Sequence, residues 1–204
     1  NLGSNASVIV ALLVAGIAED KAILVSPFSS LHNSAALSRS DFNIPANVPV
    51  AVVLSRLHAK KGLNTLLDAV KMVDGVYVLI AGDGTMHGAL NAQIKAQRLD
   101  DRIQLLGWRN DPAALIEMAD FVICPSKIEP FGKVVIDAWA VGKPVIAADA
   151  VGPATLITPG ETGLIVRRGD DEALARAMQQ LIDFPQLRQK LGAAGHRAYV
   201  EEYG

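Results

Sequence analysis

Short apolar runs alternate with stretches of helical spacing along most of the chain. V-A-V-V-L at 50–54, Y-V-L-I-A at 77–81, I-Q-L-L at 103–106, F-V-I-C at 121–124, V-I-A-A at 145–148 and L-I-V at 164–166 are too short for helices. Their composition and their Gly, Pro and Asp boundaries read as buried strands. Between them, Leu63, Leu66, Leu67 and Val70 mark one helical face, and a second helix follows Gly82-Asp83-Gly84 and ends near Leu99. Asp111-Pro112 opens another helix, a capping residue followed by proline at the first helical position. From about Phe131 the spacing is helical until Gly142 and Pro144, a glycine stop with a proline after it. Gly152-Pro153 reads as a loop, Asp170 as the cap of a helix reaching about Asp183, and Pro185 as the start of the last helix. Upstream, residues 7–16 read as a helix, 22–25 as a strand, and 26–47, rich in Ser, Asn and Pro, as a linker. This alternation predicts an α/β fold, a doubly wound parallel sheet with helices on both faces.

Composition agrees with that picture. Half of the 204 residues are hydrophobic, the mean hydropathy is +0.28, and a parallel sheet covered on both faces needs such a content. The longest apolar run, residues 8–17, falls short of the roughly 18 residues of a membrane span, so no transmembrane segment is expected. A net charge of -2 gives no broad surface for nucleic acid. The single cysteine excludes an internal disulfide and a cysteine metal cluster and suits a reducing compartment, so a cytoplasmic location is expected. The chain starts with Asn and opens close to a predicted helix, which suggests a piece of a longer protein.

The candidate chemistry centres on residues 120–144, D-F-V-I-C-P-S-K-I-E-P-F-G-K-V-V-I-D-A-W-A-V-G-K-P. Glu129 lies on the loop between a strand and a helix, and Gly132 lets a ligand approach the backbone. The N–H groups of Phe131, Gly132, Lys133 and Val134 would face that ligand at a helix N-terminus, which favours an anion, most naturally a phosphate. Asp137 is a carboxylate among apolar neighbours and must find donors if it is buried. It would lie roughly 12 Å from Glu129 in an ideal helix, enough to straddle a diphosphate. Without a ligand, the same two acids read as a carboxylate bonded to a neighbouring loop and a solvated Glu129.

In a sheet of this kind ligands bind at the carboxyl ends of the strands. S-R-L-H-A-K-K-G at 55–62 lies on that edge and offers Arg56 and Lys61 to one diphosphate, although such a loop can also be an ordinary basic turn. Gly82-Asp83-Gly84 resembles a nucleotide-binding turn, but no acidic residue closes the next strand where a dinucleotide's ribose would need one. His58 and His87 read as solvated loop histidines rather than ligands, Trp108 and Trp139 as core or edge packing rather than base-stacking platforms, and Cys124 as core filler.

Together R-L-H-A-K-K-G, the G-D-G turn and E-P-F-G-K-V-V-I-D followed by G-K-P-V-I-A resemble the nucleotide-sugar-binding C-terminal domain of the retaining glycosyltransferases of the GT-B fold. The likeness covers about residues 50–182. It implies a Rossmann-like half of such an enzyme at 46–184, the end of a partner domain and a crossover at 1–45, and a helix at 185–204 that returns towards the partner. It also implies hexose transfer from a nucleotide-diphosphate donor, UDP- or GDP-linked, to a saccharide or lipid-linked acceptor reached through the N-terminal domain. The family setting is cell-surface polysaccharide or lipopolysaccharide synthesis in the cytoplasm or at the inner face of the membrane. No further cofactor is implied, and the absence of a D-x-D motif agrees with metal-independent transfer. Arg56 and Lys61 would neutralise the diphosphate as the sugar leaves, and Glu129 would touch sugar hydroxyls. The amides of Phe131, Gly132 and Lys133 would hold sugar and phosphate, and Asp137 would accept from the ribose. Gly82 and Gly84 would leave room for the nucleotide, and Leu106 and Gly107 would frame the base. Asp137 stands where the family usually has Glu, Ser55 where it usually has Gly, and residues 151–155 lack the family's double glycine and following Glu. The expectation is a chain that binds nucleotide without turning over alone. A dinucleotide-dependent oxidoreductase domain and a non-catalytic interaction module are the competing readings.

Overall fold

The computed structural model describes residues 36–203. Strands and helices alternate as β1 (Val50–Leu54), α1 (Leu63–Lys71), β2 (Tyr77–Ala81), α2 (His87–Ala96), β3 (Ile103–Gly107), α3 (Pro112–Met118) and β4 (Phe121–Cys124), then α4 (Lys133–Ala140), β5 (Val145–Ala148), α5 (Val151–Leu156), β6 (Leu164–Val166), α6 (Asp171–Asp183) and α7 (Pro185–Tyr203). The strands form one parallel sheet in the order β3-β2-β1-β4-β5-β6. The doubly wound arrangement expected from the alternation is therefore the one observed. Its order is that of the dinucleotide-binding folds, reversing at β1 and β4.

Side chains that alternate along a strand point to opposite faces, and here each face has its own core. Ala51 and Val53 of β1 lie with Leu66, Leu67 and Val70 of α1 and with Leu174, Met178 and Leu181 of α6. Val50 and Val52 lie with Leu115 and Ile116 of α3 and with Val135, Ala138 and Trp139 of α4. The helix after β1 thus covers one face and the helix after β4 the other. The two loops diverge and leave a crevice at the carboxyl ends of these adjacent strands.

The strands other than β3 have the expected bounds, and β3 extends one residue further, to Gly107. Asp170 caps α6, its Oδ1 accepting the amide of Ala173 at 2.7 Å. Two local expectations need correction. Gly152-Pro153 belongs to α5 rather than to a loop, because proline is tolerated in a first helical turn, where its missing N–H has no intrahelical acceptor to lose. Asp111 precedes α3 as expected, with Pro112 at N1, but makes no side-chain cap. Its carboxylate is taken by Arg109, whose Nε donates to Oδ1 at 2.8 Å, and this pair holds the Asp111 carboxyl below the usual carboxylate range.

The described part of the expected linker is tied to the sheet. Residues Arg39–Phe42 form a 3-10 turn, Phe42 and Ile44 are buried beside Val50 and Val52, and Arg39 Nη2 lies 2.8 Å from Asp120 Oδ2. Leu37, Phe42 and Ile44 account for this, since burial draws these apolar side chains to the nearest core. The helix expected at 7–16 and the strand at 22–25 lie outside the described residues. At the other end, α7 packs on α4, with His196 Nδ1 3.0 Å from the carbonyl oxygen of Trp139. Among the described residues, no helix is long and apolar enough to cross a membrane.

Candidate functional site

The loops after β1 and β4 are joined through their backbones. The amide of Lys127 donates to the carbonyl of Lys60 at 2.8 Å. Gly62, at φ +67, lies so close to β4's loop that a Cβ there would stand 1.9 Å from the carbonyl oxygen of Pro125. Glycine is needed here for both reasons, conformation and space. This junction delivers Lys61 to the second loop, where its Nζ lies 2.7 Å from Glu129 Oε2, with side chains only 18% and 17% exposed. The other oxygen of Glu129 accepts the amide of Gly132 at 3.4 Å. One carboxylate therefore sits between a lysine ammonium and the amide that precedes α4, both of which are anion-binding groups.

Beside this pair lies a cleft of about 270 Å³, walled by Ser55, Pro112, Cys124, Ser126, Glu129 and Asp137 among others. Glu129 and Asp137 thus face the same space. Asp137 has found its donor within its own helix. Lys133 Nζ lies 2.9 and 2.7 Å from its two oxygens, and the side chains are 61% and 13% exposed respectively. Burial nonetheless pushes the Asp137 carboxyl up, and the hydrogen bonds and charge of Lys133 offset this only in part. Cys124, at the floor of the cleft, has its thiol pushed up by burial and then by the charge of Glu129. It fills core space as its sequence context suggested.

The remaining expected site residues surround this centre at different distances. Arg56 is exposed, is not part of the cleft wall, and makes no ion pair among the described residues; its neighbour Ser55 lines the cleft. Phe131 is 45% exposed at the entrance to α4. Gly82 and Gly84 accommodate the adjacent loop, since a Cβ on either would stand 1.9 Å from the carbonyl oxygen of Ser55 or 2.5 Å from that of Leu57. Leu106 and Gly107 end β3, where the Gly107 carbonyl accepts the amide of Gly82 at 2.8 Å. Gly152 donates its amide to the carbonyl of Glu129 at 2.8 Å, so α5 supports the Glu129 loop from behind. Thr155 turns its hydroxyl back to the carbonyl of Val151 at 2.8 Å.

Ser55, Pro112 and Ser126 form part of the cleft wall, although the sequence assigns none of them a role at the site. Ser126, 2% exposed, had a usable signal, a polar residue immediately after the Pro that closes a buried strand. Pro112 had none, because only the crossover of α3 from β3 to β4 brings it there. Trp139 is buried, its indole N–H donating to the carbonyl of Thr162 at 3.0 Å. Trp108 is 75% exposed, which corrects the reading of it as a packing residue.

Comparison with known proteins gives a consistent answer. A family model described as glycosyl transferases group 1 matches residues 35–198. Lipopolysaccharide core biosynthesis glycosyltransferase LpsE of Rhizobium meliloti (strain 1021) is 32% identical over 180 residues, 88% of this chain and 53% of its own length. Phosphatidyl-myo-inositol mannosyltransferase of Mycobacterium leprae (strain TN) is 37% identical over 149 residues, 68% of this chain and 38% of its own. The chain spans about half the length of the first two curated relatives it matches. Among solved structures, Anabaena Alr3699/HepE in complex with UDP and glucose has a TM-score of 0.77 and 29% identity, covering 81% of this chain and 46% of its own.

Proposed function

Because the chain belongs to the glycosyl transferases group 1 family, we propose that its cleft between β1 and β4 is the donor site of a retaining hexosyltransferase. The observation that carries this reading is the meeting of Lys61 and Glu129 at 2.7 Å in the crevice where the sheet order reverses, the place where such sheets bind ligands. The donor is a nucleotide-diphosphate hexose. UDP-hexose is the first candidate, since the HepE neighbour was solved with UDP and with UDP-glucose.

In this proposal the diphosphate lies against Lys61 and the amides of Phe131, Gly132 and Lys133, with Arg56 approaching from the exposed side of the β1 loop. As the glycosidic bond to the diphosphate breaks, negative charge grows on the leaving oxygen. Fixed cations and amides oppose that charge more effectively in the transition state than in the ground state. Glu129 then turns to the sugar hydroxyls, and Asp137, at the far end of the cleft, accepts from the ribose. Gly82 and Gly84 keep the β2 loop close to that of β1, and Leu106 and Gly107 frame the base.

Acceptor groups come from the remaining half of the longer protein, with residues before 46 leading out of it and the helix from Pro185 returning towards it. The acceptor is a saccharide or a lipid-linked saccharide, and the lipopolysaccharide core role named for the LpsE relative makes core assembly at the inner face of the membrane the biological setting proposed. Calorimetric titration of UDP, GDP and ADP into the chain and into Arg56→Ala and Lys61→Ala tests the site. Binding by the wild type and weaker binding by both variants supports it. Equal heats from all three proteins contradict it.

A further inference from the structure

Trp108 is the most exposed of the large apolar side chains among the described residues, at 75%. Scattered exposed hydrophobics are ordinary, and exposure alone says little. Its setting adds the rest. Trp108 follows β3 on the ligand-binding edge of the sheet, in the short segment between Gly107 and the first residue of α3, Pro112. The Pro112 end of that segment belongs to the cleft wall, and its Gly107 end connects to that wall through the backbones of Gly82 and Ser55. Gly107 bonds the amide of Gly82 at 2.8 Å, Gly82 touches the backbone of Ser55, and Ser55 and Pro112 both belong to the cleft wall.

The segment is also braced. The Trp108 indole N–H donates to Asn110 Oδ1 at 3.1 Å, which fixes the direction of the ring, and Arg109 Nε donates to Asp111 Oδ1 at 2.8 Å. No aromatic ring stacks on Trp108 among the described residues. Trp139, by contrast, buries its ring and pairs its N–H internally. The chain thus holds a large flat apolar surface, oriented and uncovered, next to a cleft whose proposed occupant carries an aromatic base.

We propose that Trp108 is the stacking platform for the nucleobase of the donor. The proposal rests on the reading of the cleft as a nucleotide-sugar site and adds a residue to it. With the diphosphate held by Lys61 and the amides ahead of α4, and the ribose at Asp137, the base leaves the cleft past Pro112 and lies on the indole. Stacking of this kind tolerates any base, because each has a π face. Trp108 therefore supplies affinity for the nucleoside and leaves the choice of base to polar groups around it.

The chain has two tryptophans, one exposed and one buried, so fluorescence separates them. Acrylamide quenches chiefly Trp108, and UDP is expected to quench its emission and to protect it from acrylamide, whereas inorganic pyrophosphate, which has no base, is expected to do neither. Trp108→Ala should weaken UDP about tenfold or more, on the usual scale of a base stacked on an aromatic side chain, and leave pyrophosphate binding unchanged. Trp108→Phe should retain most of the UDP affinity. UDP that binds by calorimetry without altering Trp108 emission, or a Trp108→Ala variant that binds UDP as the wild type does, overturns this proposal and leaves the donor site standing. A Trp108→Ala variant that loses UDP and pyrophosphate equally overturns it as well, since the ring would then act on the structure of the site. If wild type binds neither UDP nor pyrophosphate, the donor site falls and the stacking role with it.

Discussion

Lys61 Nζ lies 2.7 Å from Glu129 Oε2 although the two residues stand 68 positions apart in the chain. The contact spans the gap between β1 and β4, whose following helices cover opposite faces of the sheet. Its geometry suggests an exchange of partners. The Glu129 carboxylate now occupies the ammonium of Lys61 and the amide of Gly132, the same donors proposed for the diphosphate, and must yield them when a nucleotide arrives.

Glu129→Gln therefore has opposite expected effects on binding and on transfer. Removal of the internal anion frees Lys61 and the Gly132 amide, and UDP affinity measured by calorimetry should rise several-fold. In the transferase proposed above, hexose transfer should be lost, because the neutral amide is a weaker acceptor for sugar hydroxyls. A variant that binds UDP more weakly than the wild type would show that Glu129 does not compete for these donors.

Asp137 gives a pH dependence of known sign. Burial raises its folded carboxyl above the ordinary aspartate value, so in the window just above that ordinary value the folded chain binds more protons than the unfolded one. Stability from this group falls as pH rises through the window, and the loss is complete above the raised value. Asp137→Asn removes the burial of charge and should melt higher than the wild type at pH 7, with the gap closing as pH falls towards 4. Thermal denaturation at a series of pH values checks this, and a gap independent of pH would mean that Lys133 fully compensates the buried carboxylate.

Gly62→Ala tests the junction that brings the two loops together. The substituted Cβ would stand 1.9 Å from the carbonyl oxygen of Pro125, on a backbone at φ +67. Left-handed strain and overpacking add, each typically on the order of 1 to 3 kcal/mol. A fall in unfolding free energy of about 2 kcal/mol or more is expected in denaturant titrations, together with weaker UDP binding as the loops separate. Gly142→Ala, also at positive φ but with nothing within 4 Å of its Cβ position, should cost less and leave UDP binding alone.

These sites show how far a single sequence carries. The strands were legible because a short apolar run between turn residues has few alternatives, and V-A-V-V-L or F-V-I-C specifies a doubly covered strand almost unaided. Helix α5 was hidden by Gly152-Pro153, which locally reads as a turn and becomes helical only because Ala150 leads in extended and Pro153 falls within the first turn. At the site, the residue types of Lys61, Glu129 and Asp137 were legible and their pairings were not. Lys61 reaches Glu129 only through the parallel pairing of β1 with β4. Asp137 could have been matched to Lys133 by counting one helical turn back, a local signal that was there to use. Trp108 stands before the polar turn R-N-D-P and Trp139 inside the apolar helical run V-V-I-D-A-W-A-V, a contrast that favours exposure of the first and burial of the second.

The crystal structure of this chain with UDP is the most direct test of a donor site at the β1–β4 crevice. The expected result is a diphosphate between Lys61 Nζ and the amides of Phe131, Gly132 and Lys133, with Glu129 turned away from Lys61. A diphosphate seated instead on the Gly82–Gly88 turn, with the Lys61 to Glu129 contact intact, would contradict it.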